Sequence, residues 1–138
     1  MNLIDKSEEN LRLAQKHISD DAYLNSIASR IYYSVFQRLK YYLIANNFDY
    51  TNFLRSRGYD KKEREYSHGT IPVAFRMCYF KQAKGNIPIT ELQKMDRFFN
   101  LYQARIDADY NEQSNFTKRR AENLCIDAES LLELLNRI

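Results

Sequence analysis

Tryptophan is absent from this chain, and only 3 Gly and 2 Pro interrupt its 138 residues. So few turn-formers argue against a many-stranded sheet and for long helices. Two cysteines are present, Cys78 and Cys125, each inside an apolar helical pattern. No C-x-x-C and no Cys/His ligand spacing accompanies them, so they read as small buried hydrophobes in a reducing cytosol, and no metal is expected. A phosphate-cradling glycine loop, a nucleophile elbow and an H-E-x-x-H pair are all missing, which removes the common nucleotide-binding, hydrolase and zinc-protease signatures and leaves no cofactor to expect. No apolar run approaches membrane-spanning length. The opening Met1-Asn2-Leu3-Ile4-Asp5-Lys6 runs straight into charged sequence, so no secretory leader and a cytoplasmic location are expected.

What the chain has in quantity is tyrosine and phenylalanine: 11 Tyr and 8 Phe make aromatics 14% of the residues. Tyrosine joins a large apolar body to a polar tip, which suits half-buried helix faces. The length fits one domain over residues 1–138. A formal net charge of +3 permits an acidic partner or nucleic acid without demanding either.

Helical spacing of apolar residues predicts a first helix over about Leu3 to Ile18, with Ser19-Asp20-Asp21 ending it and capping the next. The second runs from about Asp20 to Asn46. Leu24, Ala28, Tyr32, Val35, Phe36, Leu39 and Leu43 line one face and Ile27 and Ile31 widen it, so it should be central. Residues 48–67 form one irregular excursion, with a short helix near Tyr50 to Arg57 and a charged loop from Asp60 to Glu65. A third major helix begins near Thr70, with Ile71, Phe75, Met77, Cys78 and Phe80 as its apolar residues, and stops at Gly85. Thr90, with Gln93 three residues on, is the expected cap of the fourth, whose stripe is Leu92, Met95, Phe99, Tyr102 and Ile106. A polar turn at Asn111 to Asn115 leads to a last helix with Ala121, Leu124, Cys125, Ala128, Leu131, Leu132 and Leu135 inward. The expected fold is an all-α, antiparallel bundle of four to five helices.

Three segments carry chemistry. Ser29-Arg30-Ile31-Tyr32-Tyr33-Ser34-Val35-Phe36 lies in the second helix, Ser67-His68-Gly69-Thr70, followed by Phe75, opens the third, and Arg105-Ile106-Asp107-Ala108-Asp109-Tyr110 ends the fourth. Together, in this order, they resemble the HEPN superfamily of helical bundles, with its R-x-Y-Y-x-x-F signature, a histidine at the start of the third helix and an R-x-x-A-D-Y ending found in one branch. The resemblance spans about the whole chain. It implies a bundle that usually forms a homodimer and works in prokaryotic defence or toxin–antitoxin systems. Many members are metal-independent endoribonucleases, and others are binding or scaffold domains. It also implies a protein partner such as a nucleotidyltransferase-type antitoxin or another product of the same operon.

Active members carry an arginine followed four to six residues later by a histidine. Here those places hold Asp109, Tyr110 and Asn111. Metal-free RNA cleavage needs a group that moves protons near neutral pH, the natural task of histidine, and a permanent charge for the phosphate, the natural task of arginine. Arg105 supplies the charge. Asp109 beside a permanent cation, and Tyr110, whose phenol keeps its proton at neutral pH, suit binding better than cleavage. His68 is the histidine that could complete an atypical catalytic set of Arg105, Asp109, Tyr110 and His68.

The alternative for Arg105 and Asp109 is an ion pair one helical turn apart, tied to Arg30 or Tyr33 of the second helix as a structural network. Tyr32, Tyr33 and Phe36 are then core and interface residues and not base-stacking platforms. His17, ending the first helix, reads as a surface residue. Arg55, Arg57, Lys61, Lys62 and Arg64 are basic but mixed with acids. Lys118, Arg119 and Arg120 open the last helix, the end at which the helix dipole does not ask for cations. That triplet, with Arg105, is the expected contact for RNA. The function expected is a nucleic-acid-linked interaction module; an active ribonuclease and an oligomerisation scaffold are the competing readings.

Overall fold

The computed structural model describes residues 2–18, 24–58, 65–110 and 117–138. Among these, six helices and no strand are present: α1 (Leu3–Ile18), α2 (Leu24–Ala45), α3 (Tyr50–Ser56), α4 (Ile71–Gln82), α5 (Ile89–Tyr110) and α6 (Lys118–Arg137). The expected caps at Ser19-Asp20-Asp21, the charged loop apart from Glu65, and the turn at Asn111 to Asn115 lie outside the described residues. No helix among the described residues is long and apolar enough to cross a membrane.

α2 is the axle of an all-α bundle and packs on α1, α4, α5 and α6. Its Ile27, Ala28, Ile31, Tyr32, Val35, Leu39, Tyr42 and Leu43 are all buried, covering more than one face. α1 approaches it closely because the facing residue is small: the buried Ser7 hydroxyl donates to the backbone carbonyl of Ser34, and the Ser34 hydroxyl donates back to Ile31. Asn47, at φ 51°, turns the chain out of α2, and the Phe48 N–H returns to the Leu43 carbonyl at 3.0 Å.

The excursion is tied down at both ends. Asp49 caps α3, accepting from the Asn52 N–H at 3.0 Å. Beyond it, the Tyr50 hydroxyl meets Thr70 Oγ1, which also meets the Ser67 hydroxyl at 2.8 Å. Thr70 is buried, so these bonds set the start of α4 against α3.

Three expectations are corrected. Thr90 does not cap α5: the helix already includes Ile89, and the Pro88 carbonyl receives the N–H groups of Glu91 and Leu92. The buried stripe of α5 is Met95, Phe98, Leu101 and Ala104; of the expected residues Met95 is buried and Leu92 and Tyr102 pack partly buried on the core, whereas Phe99 is 49% exposed. Both stripes fit a helical period, so spacing alone does not choose between them. On α4, Ile71, Phe75 and Cys78 are buried as expected, but Met77 and Phe80 face outward. The cap of α6 is Thr117, whose hydroxyl accepts from the Arg120 N–H at 3.1 Å.

The phase of α5 has a direct test. Phe98→Ala should lower the stability to urea unfolding by about 3–5 kcal/mol, and Phe99→Ala by less than about 1 kcal/mol. Equal losses would contradict the assigned inward face.

Candidate functional site

Arg105 leaves α5 and reaches the aromatic pair of α2. Its guanidinium carbon stands 5.4 Å from the ring centre of Tyr32 and 5.4 Å from that of Tyr33. The side chain is only 16% exposed. A charge so largely withdrawn from water must be compensated, and two ring faces and a carboxylate do it: Asp109, one turn along, lies 3.6 Å from Arg105 Nε. That Nε–H is buried and makes no hydrogen bond among the described residues.

His68 joins the same cluster from the loop before α4. The turn that carries it is fixed by backbone bonds from Thr70 and Ile71 to the Ser67 carbonyl. Its ring lies 4.7 Å from Phe36, 5.4 Å from Tyr32 and 6.4 Å from Tyr102 of α5. Nδ1 pairs with the Tyr32 hydroxyl at 2.5 Å. The Tyr32 phenol is fully buried, and burial pushes its ionisation far above the ordinary range, so it keeps its proton. It has no other acceptor among its described contacts. The satisfied assignment therefore has Tyr32 donating to Nδ1, with the imidazole proton on Nε2. Burial first, and then the charge of Arg105, lower the His68 pKa below 6.5, so the ring is neutral at neutral pH.

Beside this cluster, a concavity of about 380 Å³ is lined by Asn10, Ser26, Ser29, Arg30, Tyr33 and Asp109. Arg105 meets two of its wall residues, Tyr33 and Asp109. Arg30 is held by α1, donating to Asn10 Oδ1 at 3.0 Å, and Asn10 in turn donates to Gln37. The wall thus offers hydroxyls, amides and a cation, with a single carboxylate.

The structure brings Arg105, Asp109, Tyr33 and His68 together. Arg30 shares the concavity with Asp109, but its hydrogen-bond partner is Asn10, not the arginine–acid pair. The Tyr110 side chain lies outside the described residues. His68 bonds to a side chain of α2. In the basic triplet, Lys118 and Arg119 are exposed, while Arg120 pairs with Asp107 at 2.9 Å. Hydrogen bonds from Arg120 and then from Gln103 hold the Asp107 carboxyl below the usual range. The charge on the first turn of α6 therefore has a local partner on α5, which sequence reasoning missed.

Also missed were Asn10 and Ser26, while Ser29 and Tyr102 figure in the sequence only within a motif and an apolar stripe, without a site role. The helical spacing of Ser26, Ser29, Arg30 and Tyr33 on one side of α2 points to the two serines, and nothing in the sequence ties Asn10 of α1 to them. Comparison with protein-family models, with curated proteins and with solved structures finds no match.

Because the His68 pKa is lower in the folded chain than in the unfolded one, the unfolded state takes up this proton first as the pH falls. The stability contributed by neutral His68 is complete above about pH 6.5 and is lost in acid below it. The urea midpoint should fall more steeply from about pH 7 to about pH 5 for the natural chain than for His68→Gln. Identical slopes would contradict the half-buried, neutral ring.

Proposed function

We propose that this chain is a HEPN-like RNA-binding interaction module of a prokaryotic defence or toxin–antitoxin system, with Arg105 as its phosphate contact. One observation carries the reading: a largely buried guanidinium, stacked on Tyr32 and Tyr33 and 3.6 Å from Asp109, makes no Nε–H hydrogen bond among the described residues and stands beside a concavity of hydroxyl, amide and cationic groups with one carboxylate. A phosphate oxygen is the acceptor a guanidinium favours, because the hydrogen bond is charge-assisted on both sides. Tyr33 stands at the wall, and Lys118 and Arg119 add exposed charge on the first turn of α6.

Binding fits the geometry better than cleavage does. General-base catalysis needs an unprotonated nitrogen facing the 2′-hydroxyl. His68 spends Nδ1 on Tyr32 and keeps its proton on Nε2, so it can donate but not accept. In this reading the protein is a homodimer with an operon-encoded partner, such as a nucleotidyltransferase-type antitoxin.

The test is RNA binding in EDTA. The natural chain should leave the RNA intact and bind it with an affinity that falls steeply with salt. Lys118→Ala should weaken binding uniformly and reduce the salt slope by about one phosphate contact. Arg105→Lys keeps the charge but loses the planar stack, and should weaken binding by about tenfold or more. RNA cleavage abolished by both Arg105→Ala and His68→Ala would install the ribonuclease in place of this reading. A tight dimer with neither activity would leave a scaffold.

A further inference from the structure

A groove of about 780 Å³ runs between α3 and α4 and shares no residue with the Arg105 cluster or its concavity. Phe53, Val73 and Leu92 form its floor. Met77 and Phe80 stand at its edge, 38% and 55% exposed, an unusual place for two large apolar side chains of one helix. Phe80 is positioned in spite of its exposure. It packs on the turn after α4, where Gly85 has φ +77°, and a Cβ there would come within 3.3 Å of the ring. Met77 adds a flexible, polarisable thioether, well suited to moulding around a guest.

The charge around this floor has one dominant sign. Arg57, Arg76 and Lys81 line the groove against the lone acid Asp49. The Asp49 carboxylate is occupied in capping α3. Arg76 is paired with Asp96 at 2.6 Å, but neither Arg57 nor Lys81 has an ion-pair partner among the described residues. Arg57 leans over the floor instead, 5.9 Å from the Phe53 ring centre and 3.1 Å from Met77 Sδ.

We propose that this groove is the docking site for an acidic amphipathic helix of a protein partner. The apolar floor takes the apolar ridge of the helix, spaced three and four residues apart, and Arg57 and Lys81 take carboxylates flanking that ridge. A second copy of this chain fits poorly, since a two-fold contact through the groove sets the same cations against one another. Nucleic acid fits poorly too, because phosphates use the rim and leave Val73, Leu92 and Met77 unmatched. The proposal stands independently of the RNA reading.

The test is a selection of phage-displayed random peptides, about four helical turns long, on the full chain. Enriched peptides should carry acids beside apolar residues at i, i+3 or i+4, and i+7. A synthetic version should lose affinity by about tenfold or more on Phe80→Ala and again on Lys81→Glu, both exposed positions, with circular dichroism unchanged. No enrichment, basic peptides, or affinity untouched by these two changes would overturn the proposal. So would displacement of the peptide by RNA, or a sedimenting dimer that Phe80→Ala dissociates, since each gives the groove a different occupant.

Discussion

A cation withdrawn from water beside two tyrosine rings is the constraint on which the rest of this bundle turns. Burying the Arg105 guanidinium is unfavourable unless it is compensated, and the compensation comes from two places in the chain far apart in sequence. Tyr32 and Tyr33 offer ring faces from the central helix, and Asp109 offers a carboxylate from Arg105's own helix. The arrangement holds the end of α5 against the middle of α2. It also reaches a third segment, because the ring under the guanidinium is the one whose hydroxyl satisfies His68. Arg120, bonded to Asp107 between Arg105 and Asp109, fastens the start of α6 to the same stretch. Four parts of the chain are thus referred to one charge.

That economy shapes the chemistry. A histidine whose Nδ1 is taken and whose charged form is disfavoured by burial and by a neighbouring cation is a poor proton acceptor, whatever its distance from a substrate. The cation that disfavours it has an Nε–H that makes no hydrogen bond among the described residues. Polar groups brought together in this way favour capture of an anion over its turnover. The α3–α4 groove has a different character, apolar with a cationic edge, and it is supported by a separate set of contacts around Tyr50, Thr70 and Gly85. The bundle therefore carries two surfaces of unlike chemistry.

Much of this was legible before the coordinates. The scarcity of glycine and proline and the three-and-four spacing of apolar residues led to an all-α bundle with α2 at its centre. The bounds of α1 could be read from its pattern, and the one-turn separation of Arg105 and Asp109 already placed them on one face. Other features were not legible, for particular reasons. The pair Phe98-Phe99 supports either phase of α5, and only packing chooses. Met77 and Phe80 look like core in a sequence because residue type does not distinguish a buried phenylalanine from one resting on a glycine turn. Thr90 had the right residue type for a cap, but Pro88, two residues earlier, offered its carbonyl first. The bond between His68 and Tyr32 joins a loop to a helix 36 residues away, and no local pattern encodes it.

The central claim is that Arg105 and the tyrosine pair act as one unit, and a double-mutant cycle measures that directly. Stability to urea would be determined for the natural chain, Arg105→Met, Tyr33→Leu and the double variant. Coupling of about 0.5–2 kcal/mol in favour of the natural pair is expected for a cation stacked on an aromatic face in a partly desolvated site. Losses that simply add, with no coupling beyond error, would show that the guanidinium and the ring are neighbours without being partners, and the account would fail.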